Sequence, residues 1–310
     1  MGRFLSLLLG PRLRYLMRFY MHHNRLPRVF SPVRMTDKLA LRILSQQCTP
    51  LRRELTDKLT CREIVRAMCP ELRVKSVYGI YESPEQFSLA ALPQAFVLKP
   101  NGASGLNLVV LDKSAARETE LRKIIAEWLR VSYFKCTQEP SYRGIENKVF
   151  AEELLLSAEG FYPMEFRIFC FHRKACCIEY EVAPNTPGLS ALFDRDWNPL
   201  PAYYLHGRSD LDPGLARAPR PLHLETAIQV AERLAEGLDF IRVDLYDLPD
   251  GLAFGEMTSH PWAGLVSLSP PGADELLGRY WEPFSASPVD RANIWPRIEE
   301  RKELKVGVGS

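Results

Sequence analysis

Apolar and polar positions along this chain recur with two periods, and the order in which the periods alternate predicts a mixed set of helices and strands. Helical spacing puts Leu121, Ile124, Ile125, Trp128 and Leu129 on one face and predicts an amphipathic helix over 114–135. The same spacing turns Ala227, Val230, Ala231 and Leu234 toward a core, in a helix over 223–236 stopped by Gly237. Helices are also predicted at 35–45 and 58–68, opened by the cap signals Thr36-Asp37 and Thr56-Asp57, with short ones at 84–93 and within 270–281. Alternation predicts strands at 74–83, 95–99 and 106–111 and two more within 164–181; residues 148–151 read as a buried strand. Residues 184–221, rich in Pro and Gly, are too long for a plain connection and are expected to bind substrate, and the charged tail from Arg297 is expected to fray. Two apolar runs, 240–246 and 252–257, flank the breaker cluster DLPDG and predict a β-hairpin.

That hairpin organises the chain. Arg242, Asp244 and Tyr246 project to one face, and Ile241, Val243 and Leu245 to the other. With the turn centred near Asp250, Asp244 falls opposite Glu256 and Arg242 opposite Thr258. Carboxylates facing each other across a strand pair repel, so something positive belongs between them. Either a hard divalent cation such as Mg²⁺ or Arg242 with other basic side chains meets the need.

Upstream, FVLKPNGASG places Lys99 at a strand end beside a glycine-containing turn, residues 101–105, with another strand following. Such a turn brings backbone N–H groups against phosphate because little side-chain bulk intervenes, and Lys99 adds charge. A Walker P-loop has its lysine after the glycines and opens a helix, so it is excluded by order and context. A hairpin flap over phosphates fits instead.

Composition limits the classes. At 310 residues, 46% hydrophobic and 25% charged, the chain is globular and long enough for one bilobal or two ordinary domains. A net charge of +2 argues against a dedicated nucleic-acid partner. Seven cysteines without metal-ligand spacing predict reduced thiols in a cytoplasmic protein, with the adjacent Cys176 and Cys177 as buried strand residues. Residues 1–34 carry seven arginines and no acid. Their apolar run, 4–9, is too short to span a bilayer and no clear cleavage site follows. The stretch 12–21 reads as an interfacial helix in peripheral contact with an anionic inner membrane, or as a helix docked on the protein with its arginines in solvent.

The pattern R-x-D at 242–244, a turn, then GEMT running into SHPWAG, with FVLKPNGASG upstream, resembles the TupA-like ATP-grasp family of bacterial cell-surface polysaccharide loci. The resemblance spans about residues 30–275. It implies an α+β ATP-grasp fold whose two lobes clasp ATP: a basic helical extension at 1–56, a lobe with the glycine flap at 57–151, a lobe with the metal hairpin at 152–285, and a tail at 286–310. Asp244 and Glu256 would hold Mg²⁺ on the nucleotide, with Thr258 where the superfamily often has Asn, which leaves one or two ions open. The phrase TDKLTCREIV resembles the helix opening the ATP unit, so Lys58 and Arg62 join Lys99, Asn101, Gly102, Ser104 and Gly105 at the phosphates. Glu152, Glu153 and Leu155 take the place of the hinge that reads the adenine edge; Glu165, or else Glu159, takes the ribose hydroxyls.

Arg242, Lys99 and Arg167 are the expected catalytic residues, and His260, Pro261 and Trp262 are expected beside the acceptor. Residues 1–57 cannot hold the N-terminal domain of larger ligases of the superfamily, so the acceptor site is expected to be built differently. The implied reaction joins a carboxylate, such as a uronic or amino acid, to an amine through an acyl phosphate, in polysaccharide assembly. A kinase acting on a sugar hydroxyl and a non-catalytic nucleotide-binding module are the alternatives.

Overall fold

The structure, a computed structural model, describes residues 10–156, 162–181, 189–205, 218–288 and 290. In chain order its elements are α1 (Pro11–His23), α2 (Met35–Ser45), α3 (Pro50–Thr56), α4 (Lys58–Met68), β1 (Arg73–Val74), β2 (Val77–Tyr81), β3 (Phe96–Pro100), β4 (Leu108–Val110), α5 (Glu118–Leu129), α6 (Tyr133–Thr137), β5 (Val149–Glu152), β6 (Met164–Phe171), β7 (Lys174–Glu181), β8 (Leu189–Phe193), β9 (Pro199–Leu205), α7 (Leu224–Leu234), β10 (Phe240–Leu248), β11 (Gly251–Thr258), β12 (Ser267–Ser269) and α8 (Ala273–Tyr280). They build an eight-stranded sheet in the order β1-β11-β10-β6-β7-β8-β9-β12 and a four-stranded sheet in the order β2-β5-β3-β4.

Period-two alternation gives the large sheet two different faces. Phe166, Ile168 and Cys170 of β6 and Ile241, Val243 and Leu245 of β10 pack beneath α4 and α7, with Ile64, Val65, Ala227 and Ala231 completing that core. On the opposite face Phe169, Phe171 and Phe240 meet α2 and α8 through Leu39, Leu277 and Trp281. The remainder of that face, carrying Glu165, Arg167, Arg242 and Asp244, lines a cavity. The small sheet is backed by Leu121 and Ile125 of α5 against Phe96, Leu98, Val149 and Ala151.

Several expected elements divide where tertiary partners intervene. The strand expected over 74–83 becomes β1, parallel to β11 in the large sheet, and β2, paired with β5 in the small one. Lys75 and Ser76 bridge the sheets, and Ser76 accepts a hydrogen bond from the Glu153 N–H at 2.9 Å. Of the span 57–151 expected as one lobe, α4 and β1 therefore side with the large sheet. The helix expected over 114–135 breaks into α5 and α6, because the Asn147 side chain takes the carbonyls of Leu129 and Val131 that a continuing helix would use. Residues 84–93 form two single turns, Pro84–Gln86 and Leu89–Ala91. The long 184–221 connection contains β8 and β9, which extend the sheet; its residues 184–188 and 206–217 lie outside the described residues.

Cap chemistry follows the sequence at one site and not at the other. Asp57 caps α4, its carboxylate accepting from the N–H groups of Leu59 and Thr60. In α2, Thr36 and Asp37 lie inside the first turn, the N-cap is Arg34, and Asp274 of α8 accepts from the Thr36 N–H at 2.9 Å.

Helix α1 is docked. Tyr15 and Phe19 are fully buried, and burying such side chains contributes about 1.5–3 kcal/mol each. Its arginines are not simply solvated: Arg12 donates to Leu44 O and Arg18 to Cys136 O, and just past the helix Arg25 donates to Asp37. Leu13, Met17, Tyr20 and Met21 face outward instead. No helix among the described residues is long and apolar enough to cross a membrane.

Candidate active site

The hairpin β10–β11 supplies one wall. Its register pairs Arg242 with Thr258 and Asp244 with Glu256, so all four side chains share a face. Arg242 grips Asp244 with two hydrogen bonds, Nε to Oδ1 at 2.7 Å and Nη2 to Oδ2 at 2.6 Å, and reaches Glu256 at 2.9 Å. The guanidinium lies 5.2 Å from the Trp262 ring centroid, a cation–π contact. Arg242 therefore occupies the place between the opposed acids. A bulge follows Asp244, and Gly255 is required there because a Cβ would stand 2.8 Å from the Asp244 carbonyl oxygen.

Their electrostatics differ. Burial pushes Asp244 upward, Arg242 offsets this in part, and the charge of Glu256 raises it further. Burial opposes the charge of Glu256 as well, but Lys58, Arg242, a hydrogen bond from Thr258 and Lys99 outweigh it and hold that carboxyl down to about 2. Glu256 is thus the standing anion of the pair. Beside them, Arg167 binds Glu165, on the same face of β6, at 3.0 Å and Glu179, its register partner on β7, at 3.1 Å.

The facing wall is cationic. Lys58, at the start of α4, donates to the Ala103 carbonyl in the β3–β4 turn, tying helix to flap. Lys99, on β3, pairs with Glu152 of β5, which also holds Lys75 at 3.0 Å and Arg62. One fully buried carboxylate thus serves three cations. Burial and mutual repulsion lower Lys75 to about 8 and Lys99 well below the ordinary lysine range.

Between the walls is a cavity of about 660 Å³. Lys58, Lys99, Ser104, Gly105, Glu165, Arg167, Arg242, Asp244, Glu256 and Thr258 line it together, as do His260 and Trp262. Other expected residues lie elsewhere. The Asn101 amide is spent on Asp57 and the Glu146 carbonyl, and its oxygen accepts from the Lys148 N–H. Gly102 packs on Ile145, where a Cβ would come within 2.7 Å of Cγ2. Arg62 is committed to Glu152 and the Lys75 carbonyl behind Lys99. In the expected hinge, Glu152 is the clamp just described, Glu153 binds Arg73 and the Ser76 N–H, and Leu155 is buried against Leu248 and Ala253. Glu159 lies outside the described residues.

The sequence reading missed Lys75, and it missed the third side of the cavity: Arg18 of α1, Tyr133 and Thr137 of α6, and Glu139 and Tyr142 around the turn Pro140–Tyr142. Alternation could have marked Lys75 as a polar residue at a strand break. No local pattern marks the others.

Among the described residues no three His, Cys, Asp or Glu side chains converge to hold a metal unaided. Two carboxylates on one face, with a hydroxyl beside them, nevertheless fit Mg²⁺, which takes one or two protein carboxylates and completes its shell with phosphate and water.

Two helix-backed β-sheets flanking a cavity, with an acidic hairpin on one side and a cationic flap wall on the other, form an α+β fold of the ATP-grasp class, as the family match shows. The chain belongs to the TupA-like ATPgrasp family, whose model matches residues 37–282. No curated protein matches it. Among solved structures it is similar to D-alanine–D-alanine ligase from Bacillus anthracis complexed with ATP, at 14% identity and TM-score 0.37, covering 66% of this chain and 53% of that one. It is also similar to a RimK domain ATP-grasp protein from Sphaerobacter thermophilus, at 13% identity and TM-score 0.41, covering 75% and 68%. A third is N5-carboxyaminoimidazole ribonucleotide synthetase from Thermus thermophilus, at 13% identity and TM-score 0.37, covering 76% and 55%. The chain spans about half the length of the first of these.

Proposed function

We propose that the protein is an ATP-dependent carboxylate–amine ligase that forms an amide through an acyl phosphate. The observation that carries this reading is the opposition of two walls: Asp244 and Glu256 in register with Arg242 on one, Lys58 and Lys99 on the other, with the β3–β4 turn between. Phosphoryl transfer needs positioning and charge neutralisation more than covalent help from the protein, and no Ser, Cys or His nucleophile is required.

In this reading Lys58 and Lys99 bind the phosphates of ATP while residues 103–107 of the flap cover them and exclude water. Asp244 and Glu256, with Thr258 beside them, would hold Mg²⁺, which neutralises charge on the phosphates. The acceptor carboxylate attacks the γ-phosphorus, ADP leaves, and the amine displaces phosphate from the acyl phosphate. Arg242 stabilises the oxyanion formed at the acyl carbon, and Arg167 receives the negative acceptor. The acceptor is a uronic or amino acid of surface-glycan assembly; Tyr133, Tyr142 and Trp262 offer aromatic surface to a sugar ring. The outward apolar residues of α1 suit a peripheral site of action at an anionic inner membrane.

The test is a panel of carboxylic acids incubated with Mg-ATP and hydroxylamine. A ligase releases ADP and yields a hydroxamate from its acid. A stable phosphoester formed without any hydroxamate would replace this reading by a kinase, and no ADP with any acid or sugar would remove both.

A further inference from the structure

Charge is sorted around the cavity. Every acid on its sheet face is held by an arginine, Asp244 and Glu256 by Arg242 and Glu165 by Arg167. Glu139 is different. It follows α6 directly, is 5% exposed and lines the cavity. Among the described residues its one ion-pair contact is His260 Nδ1 at 3.9 Å, too long for a hydrogen bond. A carboxylate taken from water without a lysine or arginine in ion-pair contact is costly. Burial accordingly pushes its pKa up to about 8, and Thr137, Arg18 and Lys58 counteract this only in part. Tyr133 and Tyr142, whose ring centroids lie 4.6 Å apart, flank the same end of the cavity and both feel the charge of Glu139. A buried carboxylate beside aromatic rings is what a primary ammonium favours, through charge and cation–π attraction together.

We propose that Glu139 anchors an ammonium-binding subsite, with Tyr133 and Tyr142 beside it, that takes the cationic amino group of the amine substrate. The subsite deepens the ligase reading and rests on it for the identity of its occupant. The cavity then separates its reactants by sign: anions go to the lysine–arginine walls, and the amine goes to the one lining acid that no lysine or arginine among the described residues holds.

The probe is L-alaninamide, a primary ammonium, against L-lactamide, which has a neutral hydroxyl in its place. Saturation-transfer NMR on the full chain is expected to show alaninamide bound and lactamide not, with about tenfold weaker alaninamide binding in Glu139→Gln and retention in Glu139→Asp. The stabilisation by Mg-ATP keeps its wild-type size in both variants. Equal binding of the two probes, or undiminished alaninamide binding in Glu139→Gln, overturns the subsite. Should Glu139→Gln fail to fold, contacts between the alaninamide methyl and labelled tyrosine rings of the wild-type protein decide, their absence overturning the proposal. Discrimination between the probes without any hydroxamate from the acid panel supports the subsite and removes only the ligase reading.

Discussion

The two walls of the cavity are built to opposite rules. On the hairpin, two carboxylates share one guanidinium, an excess of acid. Behind the flap, one carboxylate serves Arg62, Lys75 and Lys99, an excess of base. Neither excess can stay charged in a dry interior, and the pKa shifts show the relief: Asp244 moves up, Lys75 falls to about 8 and Lys99 falls further. A ligand carrying both a divalent cation and a polyphosphate would satisfy both walls together. Each wall by itself would be a poorly compensated cluster.

Breaking the basic cluster has the largest expected effect. Glu152→Gln removes the shared acceptor of three buried cations and is expected to cost about 3–5 kcal/mol in urea unfolding. The same cluster sets a pH dependence. With Lys75 at about 8 in the folded protein against 10.5 in the unfolded chain, the folded state gives up its proton first between those values. Stability therefore gains from this group as pH rises from about 8 to 10.5, and Lys75→Met abolishes that gain. Unfolding curves across that window, identical in slope for both proteins, would contradict it.

Breaking the acidic wall acts on ligand binding rather than on folding. Glu256→Gln is expected to raise the Mg²⁺ concentration needed for ATP to stabilise the protein by about a hundredfold, read as a thermal shift. Gly255→Ala tests whether the bulge aims the acids: its Cβ meets the Asp244 carbonyl, so about 1–3 kcal/mol of stability is lost together with part of the same thermal shift. Thr258→Val is the smallest change. Losing the 2.9 Å bond to Glu256 costs about 1 kcal/mol and raises the pKa of Glu256, which a carboxylate titration by NMR would detect.

Within the hairpin, the sequence reading carried down to the register. Asp244 against Glu256 and Arg242 against Thr258 follow from period-two alternation and a short turn, both local properties. Lys99, at a strand end beside a glycine turn, lines the cavity for a similar local reason, whereas Lys58 was marked only by the resemblance of TDKLTCREIV to the family's opening helix. Asn101 and Gly102 do not line the cavity, because FVLKPNGASG shows that a turn exists and not which of its residues face inward; Asp57, Glu146, Lys148 and Ile145 decide that. At the expected hinge only the side chain of Glu152 is accounted for, since its partners come from α4, from the link between the sheets, and from β3.

By itself the sequence determined the period of each major strand and helix, the pairing of the two acids, and the family, because alternation, breakers and motif spacing act over a few residues. Only the tertiary structure decided that Arg242 fills the gap between those acids, that Lys75 sits in the link between the two sheets, and that α1 brings Arg18 to the cavity rim. Which of several like charges end up paired at Glu152 depends on segments far apart in the chain arriving together. Burial then makes each pairing or its absence consequential, and periodicity along one strand carries no record of it.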